Sequence, residues 1–269
     1  MLQVETQSIS QETQSKLTGF FAQVARASSR ALLLDYDGTL APFSADRHRA
    51  APYPEIPTLL DQIRNSTNTR LVVVSGRRAP EVATLLGLKK IEVWGCHGLS
   101  RLYADGRYEL PNLDEKTVGK ISEANELLRL EGLFDLLEFK PAATAIHWRG
   151  IEAAANQVAR RVQNVWSMLR GKEGLELLEF DGGMEIRVAG RNKGDAVRTL
   201  LTEMGGHPAV AYLGDDQTDE DAFAVLQGRG LSVLVRQDNR PSMADAWIQP
   251  PHGVMAFLAN WVTACGGAV

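Results

Sequence analysis

Apolar residues in the first third of the chain come in short continuous runs, each closed by a polar, glycine-containing turn. Ala31-Leu32-Leu33-Leu34 runs into Asp35-Tyr36-Asp37-Gly38-Thr39-Leu40, Leu71-Val72-Val73-Val74 into Ser75-Gly76-Arg77, and Ile91-Glu92-Val93-Trp94-Gly95 into Cys96-His97-Gly98. Unbroken runs of this length are what strands buried on both faces show. Helical spacing of Leu17, Phe20, Phe21, Val24 and Ala25 predicts a helix ahead of the first strand. Further helices are predicted at about Glu55 to Asn65 and after Pro80, with Leu40 to Pro57 as a loop. The first ten residues read as a loose tail. Strand and helix in alternation predict a parallel, doubly wound α/β sheet with right-handed crossovers.

From about Asn112 the pattern changes. Val118, Ile121, Ala124, Leu127 and Leu128 mark one amphipathic helix, and Val158, Val162, Val165, Trp166 and Leu169 mark another. Each is followed by two strand candidates: Phe134 to Lys140 with Ala143 to Arg149, and Leu175 to Phe180 with Met184 to Val188. Asp181-Gly182-Gly183 is a strong hairpin signal. Leu-Leu-Glu-Phe occurs at both 136–139 and 177–180, a weak sign of duplication. This predicts a separate small α+β domain with an antiparallel sheet. The first pattern resumes at Asn192-Lys193-Gly194, with a helix through Ala196, Val197, Leu200, Leu201 and Met204 and a strand from Ala209 to Leu213. A strand at Ser232 to Val235 and a closing helix through Val254, Phe257, Leu258, Trp261 and Val262 complete it. The expected organisation is a discontinuous domain, 1–110 and 190–269, carrying an insertion at 111–189.

Composition narrows the class. A net charge of −4 lacks the basic excess of a nucleic-acid binder. No apolar run approaches the ~20 residues of a membrane span, and the polar N-terminus lacks a signal core. Two cysteines, Cys96 and Cys265, do not make a disulfide framework. A soluble cytoplasmic protein, acting as a monomer on a small molecule, is expected.

The candidate chemistry lies at the strand ends. In open α/β sheets ligands bind at the carboxyl edge, and three runs deliver Asp35 and Asp37, Ser75 and Arg77, and Asp215, Asp216 and Asp219 there. Carboxylates gathered in that number predict a hard divalent cation; Mg²⁺ takes a few of them together with water and phosphate oxygens. Lys193 adds a mobile positive charge, at a helix start where a cation needs a reason. The set suits phosphoryl transfer to a carboxylate nucleophile. His97 reads either as a substrate ligand or as a turn histidine, and His147 either as a ligand or as a support of its strand. Trp148 reads as core, and Asp46/Arg47 and Glu220/Asp221 as surface charge.

The motifs Asp-Tyr-Asp-Gly-Thr-Leu, Ser-Gly-Arg, Asn-Lys-Gly and Gly-Asp-Asp-Gln-Thr-Asp-Glu-Asp resemble, in the expected order, those of the haloacid dehalogenase superfamily of phosphatases. The insertion is similar to the α/β cap of its sugar-phosphatase branch. Within that branch the chain resembles trehalose-6-phosphate phosphatases over nearly its whole length. The finer matches are Gly-Cys-His-Gly at 95–98, Glu-Phe-Lys-Pro-Ala at 138–142, His-Trp-Arg at 147–149 and Gly-Met-Glu-Ile-Arg at 183–187. The resemblance implies a Rossmann-like core and Mg²⁺-dependent hydrolysis of trehalose 6-phosphate through an aspartyl-phosphate. Asp35 would be the nucleophile and Asp37 the acid–base, protonated for the first step because acidic groups crowd it. Asp35, the backbone carbonyl of Asp37 and Asp215 would hold the metal, and Ser75 and Lys193 the phosphoryl oxygens. Asp219 would orient Lys193 or a metal-bound water; Asp216 would be an outer ligand or a helix cap. Glu138, Lys140, Arg149 and Glu185 would grip the sugar, with Gly76, Arg77 and His97 meeting it from the core. A trehalose-6-phosphate synthase is the implied pathway partner. Sucrose 6-phosphate or a glucosylglycerol phosphate is the alternative substrate, and a phosphosugar mutase or an inactive sensor the alternative class.

Overall fold

The computed structural model describes residues 11–44, 46–169 and 174–267; the tail read over the first ten residues lies outside them. Helix α1 (Gln11–Arg26) leads to β1 (Arg30–Leu34), α2 (Ile56–Ser66), β2 (Thr69–Val74), α3 (Ala79–Leu86) and β3 (Glu92–Gly95). A small hairpin, β4 (Ser100–Leu102) and β5 (Tyr108–Glu109), follows. The inserted segment holds α4 (Glu115–Leu130), β6 (Leu137–Lys140), β7 (Ala143–His147), α5 (Ala155–Leu169), β8 (Leu175–Phe180) and β9 (Gly183–Val188). The chain then runs through α6 (Lys193–Met204), β10 (Ala209–Gly214), α7 (Glu220–Leu226), β11 (Leu231–Val235), β12 (Ala246–Ile248) and α8 (His252–Ala264).

Two sheets result, one of eight strands ordered β12-β11-β10-β1-β2-β3-β4-β5 and one of four ordered β6-β7-β9-β8. In the large sheet the strands from β12 to β3 are parallel, and β4 and β5 add antiparallel at the edge. Its central strands are buried on both faces, and successive side chains alternate between two cores. Leu32 and Leu34 pack with α1, α2, α3 and α8; Ala31 and Leu33 pack with α6 and α7. The small sheet is antiparallel throughout, with α4 and α5 covering one face through Leu128, Val162 and Ile186. Trp148 packs partly buried against that core. The two Leu-Leu-Glu-Phe segments lie at the two edge strands, β6 and β8. The strand expected from Phe134 starts later, because Phe134–Leu136 is a single 3-10 turn. At its other end β7 stops at His147, so Arg149 lies in a turn.

Candidate active site

The order β10-β1-β2 sets three strand ends side by side and brings Asp35, Ser75 and Asp215 together. All three are buried, at 4%, 1% and 2% exposure. Gly38, after the turn, has φ 85°, and a Cβ there would lie 2.3 Å from Asp215 Oδ2. The Gly at this position therefore serves both the left-handed backbone and the close approach of the carboxylate.

Lys193 reaches the same floor from the start of α6, where Asn192 and Asp195 form a reciprocal capping box. Its Nζ donates to Asp35 Oδ1 at 2.6 Å and to Asp219 Oδ1 at 2.8 Å. That pairing is the reason for a cation at a helix N-terminus. Asp219 also accepts from Tyr212 Oη (2.7 Å) and from the amides of Asp215 (3.1 Å) and Asp216 (3.0 Å). Four donors therefore surround it. It stands close enough to Asp35 and Asp215 to complete a metal-sized acidic group, but its acceptor sites are taken, so it acts as an anchor. Asp216 caps the turn at Gln217–Asp219, and its Oδ2 accepts from the Asp181 amide of the small domain at 3.2 Å.

Asp215 differs from both. Each of its carboxylate oxygens is buried and takes no hydrogen bond among the described residues. Buried polar atoms are otherwise nearly always paired, so this is a place fitted to a cation. Burial, with Asp35 and Asp219 nearby, pushes the Asp215 carboxyl well above its usual range. Burial likewise pushes Asp35 up to about 7, with Lys193 opposing and Asp219 adding to the rise. A divalent ion between Asp35 and Asp215 would remove the conflict.

The floor opens into a cavity of about 540 Å³ roofed by the small sheet. Register explains the roof. Glu138 pairs with Ala145 and Lys140 with Ala143 across β6–β7, while Ala145 pairs with Glu185 and Ala143 with Arg187 across β7–β9. The period of two puts these charges on the face away from α4 and α5. Two alanines between them leave room for Lys140 to reach Glu185. Lining the cavity are Asp35, Asp37, Ser75, Gly76, Arg77, His97, Glu138, Lys140, Arg149, Lys193, Asp215 and Asp216.

The trehalose-phosphatase family profile matches residues 33–246. The chain is 30% identical over 295 residues to a probable trehalose-phosphate phosphatase 9 of Oryza sativa subsp. japonica, covering 94% of this chain and 75% of that protein. The chain belongs to the trehalose-phosphatase family. It is therefore a phosphoric monoester hydrolase. A bifunctional trehalose-6-phosphate synthase/phosphatase of Thermoproteus tenax is 30% identical over 247 residues, covering 87% of this chain and 32% of that protein. In fold, the chain resembles the C-terminal domain of Candida albicans trehalose-6-phosphate phosphatase, with TM-score 0.78 and 19% identity over 94% of this chain and 97% of that one.

Several residues of this phosphatase stand differently from the sequence reading. Asp37 faces a cation as well as the neighbouring Asp35; its two oxygens accept from Arg77 Nε (2.6 Å) and Nη2 (2.8 Å). Arg77 is thereby turned to Asp37 and Glu81 rather than held free for substrate. Glu185, 1% exposed, lies behind the cavity wall instead of lining it, whereas Asp219 stands behind Lys193 as the sequence reading has it. Glu185 holds Lys140 in place: burial opposes the Lys140 charge, but Glu185 and Glu138 together raise its pKa. Burial also works against the Glu138 charge and is outweighed by Lys140, His147 and Arg47, which pull Glu138 down to about 2. His97 sits in the left-handed region at φ 55°, its ring against Gly76, where a Cβ would lie 2.6 Å from Nε2. Burial and then Lys140, Arg187 and Lys193 hold it well below its usual pKa, so it is neutral. Its 3.7 Å approach to Glu185 is accordingly no ion pair.

Arg47 and Glu220 are not surface charges. Arg47 meets Glu81 and, from the small sheet, Glu138, and Glu220 pairs with Arg240 and accepts from the Met243 amide. Phe43 and Glu81 also line the cavity unforeseen, Phe43 lying 3.7 Å beneath the Arg149 guanidinium. The one signal for Arg47 was its place in the loop after β1, on the carboxyl edge of the sheet. Among the described residues no helix is long and apolar enough to cross a membrane.

Proposed function

We propose that the chain hydrolyses trehalose 6-phosphate to trehalose and phosphate, with Asp35 as nucleophile and Mg²⁺ as cofactor. The observation that carries this is the buried Asp35–Lys193 pair beside the unpartnered Asp215, under a roof of sugar-compatible charges. Asp35 attacks phosphorus in line, the bond to the sugar oxygen breaks, and its electron pair leaves with that oxygen. Asp37 supplies the proton, for which Arg77 must release one of its oxygens. Asp37 then takes a proton from the water that hydrolyses the aspartyl-phosphate, returning Asp35 as a carboxylate. Such acid–base help contributes typically about 10²–10⁴-fold. Ser75 and Lys193 hold the phosphoryl oxygens. Asp35, Asp215 and the carbonyl of Asp37 would hold Mg²⁺, which offsets the repulsion between an anionic nucleophile and an anionic phosphate. A synthase that makes the substrate is the natural pathway partner, as the fused Thermoproteus tenax relative supports.

The roof supports a sugar substrate because hydroxyls both donate and accept, and Glu138, Lys140 and Arg149 offer both roles. Phosphate release from trehalose 6-phosphate, sucrose 6-phosphate, glucosylglycerol phosphate and glucose 6-phosphate tests the assignment. Preference for either of the middle two would reassign the substrate, and an isomeric sugar phosphate without free phosphate would indicate a mutase. Glu138→Ala and Arg149→Ala should each lower kcat/KM for trehalose 6-phosphate by about 10–100-fold, as loss of a charged hydrogen bond does. The loss on p-nitrophenyl phosphate should be much smaller; equal losses on both esters would remove the roof from sugar recognition.

The cation reading gives a pH-dependent stability. Asp35 sits at about 7 in the folded chain against an ordinary 3.8, so the folded state keeps a proton that the unfolded chain gives up. Cation-free stability therefore falls as pH rises from about 4 to about 7. Mg²⁺ at 100 times its Kd should add about 2.7 kcal/mol at pH 8 and less at pH 5.5, where protons compete for the same oxygens. Calorimetry of EDTA-treated protein with and without Mg²⁺ at both pH values reads this. Equal shifts in Tm at the two would exclude Asp35 and Asp215 as the ligands.

A further inference from the structure

Asp37 and Glu138 stand at the two ends of one continuous run of charged contacts. Arg77, which grips both oxygens of Asp37, donates its Nη1 to Glu81 Oε1 at 2.6 Å and to the carbonyl of Arg47 at 2.7 Å. Glu81 accepts in turn from Arg47 Nη2 at 3.0 and 3.3 Å. Arg47 Nη1 then meets Glu138 Oε2, which His147 Nε2 also reaches at 2.8 Å. Only Glu138 and His147 belong to the inserted domain; the other four come from the loop after β1, the end of β2 and helix α3. Side-chain exposure is 10% for Arg77, 19% for Glu81, 23% for Arg47 and 11% for Glu138. Charges this far out of water interact strongly and polarise one another.

We propose that Arg47 and Glu81 are positioning residues that couple the seating of Glu138 on the core to the setting of the Asp37 carboxyl group. The proposal rests on Asp37 being the acid–base of the reaction above. While Arg77 holds both Asp37 oxygens, neither can be turned to the departing sugar oxygen. Glu81 is the group that competes with Asp37 for Arg77, and Arg47 is the group that competes with Arg77 for Glu81. Sugar hydroxyls arriving at Glu138 draw on the carboxylate that Arg47 holds through Oε2, whose Oε1 takes no hydrogen bond among the described residues. Engagement of the roof is thereby transmitted, one shared guanidinium at a time, to the residue that must give up a proton. A run kept only for stability has no need of this chemistry, since apolar side chains would pack as well without desolvating four charges.

The test separates leaving-group protonation from general damage. p-Nitrophenyl and phenyl phosphate have similar shapes and no hydroxyls for the roof, but phenolate is the more basic leaving group and depends more on an acid. Glu81→Gln should leave KM for both within about twofold. Its kcat should fall at least about threefold further on phenyl phosphate than on p-nitrophenyl phosphate. On trehalose 6-phosphate, Glu81→Gln and Glu138→Gln should each lower kcat, and the double variant should be no worse than the poorer single variant. An identical loss on the two aryl esters, or additive losses in the double variant, would overturn the proposal. If Glu81→Gln does not fold, Arg47→Gln on the same two esters separates the same two outcomes. Wild-type turnover of the esters reports the Asp35 chemistry separately, so a failed active-site assignment is distinguishable from a failed relay.

Discussion

Asp35→Asn is expected to fold like the parent and to lose at least about 10⁴-fold in kcat, the scale seen when a covalent nucleophile is removed. Asn keeps the shape of the side chain and an oxygen for Lys193 Nζ, now 2.6 Å from Asp35 Oδ1. It keeps neither the charge nor the nucleophilic oxygen. Asp35 is only 4% exposed, just past a strand whose last four residues are buried. Phosphate release from trehalose 6-phosphate and from p-nitrophenyl phosphate should vanish together, because the lesion lies at the phosphorus and not at the roof. Tm should stay within a few degrees: Lys193 retains Asp219, and Asp215 loses a buried like charge. Residual turnover above about 1% of wild type on either ester would rule out attack by Asp35, since that is a hundredfold above the expected level.

Three of the four motifs were legible because each is a buried strand ending in polar or charged groups, as Leu71-Val74 runs into Ser75-Gly76-Arg77; Asn192-Lys193-Gly194 instead opens a helix. The strands of the roof were legible too, but not their register, which places Glu138, Lys140 and Glu185 on one face. What escaped lacks local signal. Strands β5 and β12 are two and three residues long and are strands only because a neighbour's edge is open. Helix α7 begins Glu220-Asp221 and so hides in an acidic motif. Arg47 looked like solvated charge because its partner Glu81 is 34 residues away and Glu138 belongs to another sheet. The partner of Asp37 was misjudged for the same reason. Local sequence shows carboxylates, while the Arg77 that grips it lies 40 residues on. Glu185 was recognised as a member of the site but not as standing behind Lys140, since strand parity gives the face and not the depth.

Lys193→Met should be the most destabilising single change at the site. Lys193 is 3% exposed and neutralises two carboxylates, Asp35 and Asp219, which are almost or wholly buried. Burial alone disfavours its charge, yet Asp219 and Asp35 more than reverse this and hold its pKa above the ordinary range. Removing one partner of such a group strands the other charges in low dielectric, at a cost of about 3–5 kcal/mol. For a chain of this size that corresponds to a fall in Tm of about 10 °C. Methionine fills a similar volume, so the loss reports charge rather than a cavity. Turnover should fall by at least about 10²-fold through the lost stabilisation of phosphoryl oxygens. The double variant Lys193→Met/Asp219→Asn distinguishes the two effects: taking away one stranded carboxylate should recover part of the Tm and none of the activity. A single variant that keeps its Tm within about 2 °C would contradict the buried triad. One that keeps more than a tenth of wild-type turnover would remove Lys193 from the chemistry, since a single transition-state donor is worth about 10²–10³-fold.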